Sequence, residues 1–240
     1  MTLSSIEIFA NEIDNLVSFH MTDLVEEIKP IYDGIINPDQ FINSTYKILW
    51  ILKEPYDKDT EGGWDFKKTL SLKKKITDFD TGRSTFKPII YSSWGILNNF
   101  CLFDDMNNIE VQPSMVEILN SIAYINVKKT PGGTTSDNRT IQRDYDTHKE
   151  IILKQIGYID ADIIIGCRTL HHLIDDLSIK KKDGIRYGSL TYFISNDKLY
   201  IDTYHPAQRT SSTNVTQEQY CDNIIQVAKI WAATKQGNSI

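Results

Sequence analysis

Apolar residues along the first fifth of the chain follow two different periods, and the change between them marks the first boundary. Between Ile6 and Ile36 they recur three or four apart (Ile6, Phe9, Ile13, Val17, then Leu24, Ile28, Tyr32), the spacing of a buried helix face. Thr22 or Asp23 offers the N-cap of a second helix, so this segment predicts a helical hairpin. Residues 47–52 are instead short and continuously apolar, the form of a strand buried on both faces. Residues 122–127 and 162–166 repeat that form. Residues 190–195 and 198–203 pair through Asn196-Asp197, a two-residue turn of hairpin type. Helical periodicity fills the intervals at 88–100, 113–120, 145–157, 168–177 and 217–234, the last capped by Thr216. Residues 54–88 are polar, with Gly62, Gly63, Trp64 and Phe66 and a short helix expected at 67–76. Long loops in compact domains are usually functional.

Strands that alternate with helices predict a three-layer α/β/α sandwich with a short, mainly parallel central sheet, plus the N-terminal helical hairpin. The expected organisation is a helical extension at 1–45 packed on an α/β domain at 46–240. Composition agrees with one globular unit: 40% of residues are hydrophobic and 24% charged. No apolar run approaches the roughly 20 residues that a bilayer crossing requires, so no membrane span is expected. The first residues, MTLSSIEIFANEIDNL, lack a basic region ahead of an apolar block, so no signal peptide is read and a cytoplasmic location is expected. Cys101, Cys167 and Cys221 are odd in number and widely spaced, which argues against a disulfide framework and a four-cysteine metal site.

A net charge of −6 excludes a basic nucleic-acid coat. The lysines are grouped at 67–68, 73–75, 128–129 and 180–182, which leaves room for a local basic groove, although the last run reads as a solvated face. Ligands of parallel α/β sheets bind at the carboxyl ends of strands. The exits are Lys53, Glu54, Pro55, Tyr56 and Asp57; Asn126 with Lys128 and Lys129; Gly166, Cys167 and Arg168; and Tyr204, His205 and Pro206 through Arg209.

In that order, LKEPYD (Leu52 to Asp57), AYINV (Ala123 to Val127) and HPAQRTSS (His205 to Ser212) resemble the motifs of the uracil-DNA glycosylase superfamily. Members carry Gly-Gln-Asp-Pro-Tyr-His after the first strand, an asparagine ending a Leu-Leu-Leu-Asn strand, and a late His-Pro-Ser-Pro loop. The resemblance spans roughly residues 47–212 in element order and rests on about a dozen positions. It implies a hydrolase that takes a damaged or deaminated base out of the DNA stack and cleaves its N-glycosidic bond, with no cofactor. By position, Glu54 matches the water-activating residue and His205 the histidine that hydrogen-bonds the leaving base. Asn126 matches the amide that reads the base edge. Tyr56 would wall the pocket, Trp64 or Phe66 would stack on the base, and Arg209 matches a residue that enters the duplex. Lys53, Pro55 and Pro206 complete the expected binding set. The chain departs from the pattern at Leu52 and Lys53, at Asp57 in place of histidine, and at Glu54, one methylene longer than aspartate. Those departures point to an alternative: a member of the same fold that binds nucleic acid or a nucleotide without cutting it.

Two weaker signals remain. TPGGTTSD (Thr130 to Asp137) offers amides and hydroxyls to a phosphate but lacks the Gly-Lys-Ser/Thr ending of a P-loop. Cys167 and His171 fall i, i+4 on a predicted helix, and zinc would need two further ligands that the sequence does not identify.

Overall fold

The protein is described by a computed structural model at residues 8, 11–18, 29–57, 61–133, 135–208, 214–235 and 237. Seven strands form one sheet: β1 (Gly34–Ile35), β2 (Ile48–Leu52), β3 (Ile122–Asn126), β4 (Ile163–Cys167), β5 (Ile185–Tyr187), β6 (Leu190–Ser195) and β7 (Lys198–Thr203), in the spatial order β1-β3-β2-β4-β7-β6-β5. The four central strands run parallel; β1 pairs antiparallel with β3 at one edge, and at the other β6 pairs antiparallel with β7 and β5 antiparallel with β6. In β2, β3 and β4 every residue is buried. That is why their sequences are continuous apolar runs: each face of the sheet is covered and alternation has nothing to expose.

Residues 11–18 are helical (α1). The remaining helices are α2 (Pro38–Ile42), α3 (Phe66–Ser71), α4 (Arg83–Leu97), α5 (Asn138–Ile159), α6 (Leu170–Leu173) and α7 (Gln217–Lys235). Side chains of Ile48, Trp50 and Leu52 join α3, α4 and α7 in one core, while Leu49 and Ile51 join α5 and α6 in the other. The result is the expected α/β sandwich, with helices on both faces of the sheet. Thr216 caps α7 as expected: its hydroxyl accepts the Gln219 N–H at 3.1 Å while the Gln219 side chain accepts the Thr216 N–H at 3.1 Å, a reciprocal box. Asn196 and Asp197 take φ values of 50° and 60°, the left-handed pair that a type I′ hairpin turn requires.

Several elements differ from expectation. The second helix of the predicted hairpin starts outside the described residues, and its end is extended rather than helical. Ile31 donates its N–H to the Lys129 carbonyl at 2.7 Å, and β1 pairs with β3. This short strand covers the edge that β3 would otherwise leave open. The helix expected at 168–177 shrinks to α6, because β4 continues through Cys167 and Arg168 then takes a left-handed φ of 59°. Cys167 is therefore a buried strand residue and shares no helix face with His171. The helix expected at 67–76 is α3 followed by a 3-10 turn at Ile76–Gly82, and the one expected at 113–120 is a 3-10 helix at Pro113–Ser121.

Candidate functional site

The chain leaves β2 toward α3 and α4 on one face and leaves the adjacent β4 toward α6 on the other. Where neighbouring parallel strands diverge in this way, a crevice opens at their carboxyl ends. Glu54, Asn126 and His205 all follow or end strands at this end of the sheet: Asn126 lies beside Leu52 in register, and the β7 exit stands two strands from the β2 exit, about 10 Å away.

Glu54 sits where two loops are stitched together beyond the strand ends. Lys128 N–H donates to Lys53 O at 2.9 Å and Gly132 N–H to Pro55 O at 2.8 Å, so the β2 and β3 exits stay side by side. Glu54 Oε2 accepts from Lys128 Nζ at 3.2 Å, and its side chain is only 7% exposed. Gly132 packs flat on the carboxyl group: a Cβ there would meet Glu54 Cγ at 2.4 Å. The carboxylate is thus turned toward the β3 exit, on the side of β2 away from β7. Asp144 of α5 lies near the same pair, and burial raises its pKa even though Lys128 and Arg143 pull it down.

Asn126 is fully buried, and its backbone N–H donates to Asp33 Oδ2 at 2.7 Å. Its amide lies at the Tyr124 hydroxyl and, among the described residues, forms no hydrogen bond of good geometry, an unusual state for a buried polar side chain. By strand alternation it faces the same layer as Tyr124 and α4. Asp33 also accepts from Lys129 Nζ at 2.6 Å, and Gln155 bonds both partners of that buried ion pair.

Of the two candidate stacking rings, Phe66 is a core residue, stacked on Tyr124 with ring centroids 4.8 Å apart and planes 10° from parallel. Trp64 is half-buried, and its indole N–H donates to Asp57 Oδ2 at 3.0 Å. Asp57 also accepts the Gly62 N–H at 3.0 Å, so it organises the loop that carries Trp64. Tyr56 is 44% exposed, Pro55 is buried against Gly132, and Arg209 lies outside the described residues.

His205 borders a cavity of about 220 Å³ between the β7 exit and the first turns of α4 and α7, together with Ser84, Pro88, Tyr204, Pro206 and Tyr220. Pro88 sits inside α4 and has no N–H, which removes the helical bond that the Ser84 carbonyl would accept at this wall. His205 Nδ1 accepts the Ala207 N–H at 3.2 Å, so in the neutral ring the proton is on Nε2. Burial, assisted by the charge of Lys53, lowers its pKa to about 4. The ring is therefore a neutral hydrogen-bond donor at pH 7.

Lys53 donates to Asn138 Oδ1 at 2.7 Å, and Arg168 stacks on Tyr204 with its guanidinium carbon 4.4 Å from the ring centroid. Sequence reading singled out Lys53 but gave no role to Lys128, Gly132, Asp33 or Arg168. The lysine pair beside Asn126 in AYINVKKTPGG was the one visible signal for Lys128. No protein-family model matches the chain, and no curated protein sequence matches it.

Proposed function

We propose that this chain is a base-releasing N-glycosyl hydrolase of the uracil-DNA glycosylase type, acting on a base turned out of a DNA strand. The observation that carries the reading is His205, a half-buried neutral imidazole with its proton on Nε2, beside a cavity at the carboxyl end of the sheet. The buried amide of Asn126 at the same end, with no hydrogen bond of good geometry among the described residues, adds a donor and an acceptor suited to a base edge. In the reaction, the bond between the sugar C1′ and the base nitrogen breaks with its electron pair going to the base. His205 stabilises the negative charge on the base by donating from Nε2. Water oxygen bonds C1′, its proton passes to Glu54 or solvent, and solvent protonates the departing base.

A second reading has its own support. Glu54 spends its carboxylate on Lys128 beneath Gly132, on the side away from His205, which favours a site that binds a nucleotide unit without cutting it. Oligonucleotides carrying uracil, hypoxanthine or xanthine, single-stranded and duplex, separate the two readings when abasic sites are revealed by alkaline cleavage. The enzyme reading expects release from at least one substrate, with Glu54→Gln and His205→Ala each slowing it by roughly a hundredfold or more. Binding with no release from any of them leaves only the second reading.

A further inference from the structure

Arg168 opens the loop after β4 in a left-handed conformation that non-glycine residues rarely take, with its N–H bonded to Thr203 O at 2.8 Å. That backbone lays the exposed guanidinium over the Tyr204 ring. A guanidinium stacked by its face keeps its N–H donors free along its rim. Among the described residues Arg168 forms no ion pair and its guanidinium donates no hydrogen bond. Lys53, on the neighbouring strand exit, has among the described residues only the neutral Asn138 amide as an acceptor.

The β2 and β4 exits are neighbours in register, and the two cations are close enough that Arg168, after burial, lowers the pKa of Lys53, and both add to burial in lowering that of His171. Nearby carboxylates do not neutralise them. Glu54 is held by Lys128, and Asp202, half-buried near the end of β7, lies beyond ion-pair distance of Arg168. Among the described residues neither cation has an anion at ion-pair distance, and Lys53 is close enough to His205 to add, after burial, to the lowering of its pKa.

We propose that Arg168, stacked on Tyr204, and Lys53 form an anion clamp for one phosphate of a nucleotide unit, adjoining the cavity beside His205. The clamp deepens the reading given under the proposed function, on which its choice of a nucleotide ligand rests. Bidentate donation from a planar guanidinium matches two phosphate oxygens, and Lys53 supplies a point charge to the same group. The phosphate can belong to an internal phosphodiester or to a terminal monoester, and the two sources give different results below.

Fluorescence anisotropy of a labelled, uracil-free single-stranded oligonucleotide, titrated with the full chain at several salt concentrations, tests the clamp. Arg168→Gln should weaken binding about tenfold, the loss of one charge-assisted contact. It should also lower the slope of log affinity against log salt by about 0.7. Lys53→Gln should lower the slope in the same way, and Arg168→Lys should not restore wild-type affinity, because an ammonium cannot make the bidentate contact. If thymidine 5′-monophosphate displaces the oligonucleotide from wild type and fails to bind Arg168→Gln, the ligand is a terminal phosphate. If it does not displace while the oligonucleotide affinity depends on Arg168, the ligand is an internal phosphodiester. Unchanged affinity and salt slope in both Gln variants, or a wild type that binds neither probe, overturns the clamp. Base release by wild type alongside unchanged binding by Arg168→Gln removes the clamp and leaves the glycosylase reading; Arg168-dependent binding without base release does the reverse.

Discussion

At Asp202 the fold holds a carboxyl group where its charged form is poorly solvated. Burial raises its pKa to about 6, Arg168 pulls it back only in part, and Oδ1 has no hydrogen-bond partner among the described residues. A raised carboxyl pKa contributes stability that is fully present below the unfolded value near 3.8 and is lost as pH rises through about 6. Asp202→Asn should therefore stabilise the protein at pH 7.5 by on the order of 1–2 kcal/mol, with the gain gone near pH 4. Urea unfolding at the two pH values checks this, and an equal gain at both would show that packing rather than charge is responsible. Gly132 makes a complementary case. Its missing side chain is what lets the loop lie on Glu54, so Gly132→Ala should push the carboxylate off Lys128 and lower stability by roughly 1–3 kcal/mol, the usual cost of overpacking. A Gly132→Ala variant as stable as wild type would mean that the loop yields freely. Neither site was legible as a site in the sequence. The Glu54 partner lies 74 residues away and the Asn126 backbone partner 93 residues away, so the motif showed which residues reach the sheet end but not what holds them.

Elements with one dominant physical cause were easiest to read. The strands β2, β3 and β4 are apolar because both faces are covered, and β6 and β7 are joined by a type I′ turn whose two positive-φ positions fall on Asn196 and Asp197. Elements decided by distant partners were not readable. The start of α5 at Asn138 lies two turns before its apolar stripe becomes dense, since Ile141 is its only buried residue before Tyr145. β1 is two residues long and is fixed by the buried network of Asp33, Lys129 and Gln155, which joins the first sheet edge, the post-β3 loop and α5. Lys129 is 2% exposed and its ammonium faces the Asp33 carboxylate at 2.6 Å. Removing one member strands the other charge, so Lys129→Met should cost about 3–5 kcal/mol. Adding Asp33→Leu to that variant should recover part of the loss in chemical denaturation, because an apolar pair no longer carries an unpaired charge. A double variant weaker than the single would show that the Asn126 N–H, which Asp33 accepts, matters more than the ion pair.

Across the whole molecule, the first groups to respond to acid are histidines held neutral rather than carboxylates held charged. His172 and His205 both have their pKa lowered to about 4, chiefly by burial. A lowered histidine pKa contributes stability present above the unfolded value near 6.5 and lost as pH falls through about 4. Asp202 works in the opposite sense over an overlapping window, gaining stability as pH drops below about 6. Surface carboxylates such as Asp78, Asp137 and Asp176, lowered by hydrogen bonds, weaken only at still lower pH. His171, His172 and His205 stand against the raised carboxyls of Asp14, Asp144 and Asp202, and the large lowering at His172 and His205 predicts a melting temperature that falls between pH 7 and pH 4.5. His205→Asn keeps a neutral side chain at the β7 exit and should flatten that fall, while Asp202→Asn should steepen it by removing the opposing contribution. Identical pH profiles in wild type and His205→Asn would place the acid response elsewhere. The same ring makes a kinetic prediction. Because His205 is already neutral at pH 6.5, base release should show no inflection there between pH 5.5 and 8, and a step centred near 6.5 would mean that the ring titrates as an ordinary exposed histidine.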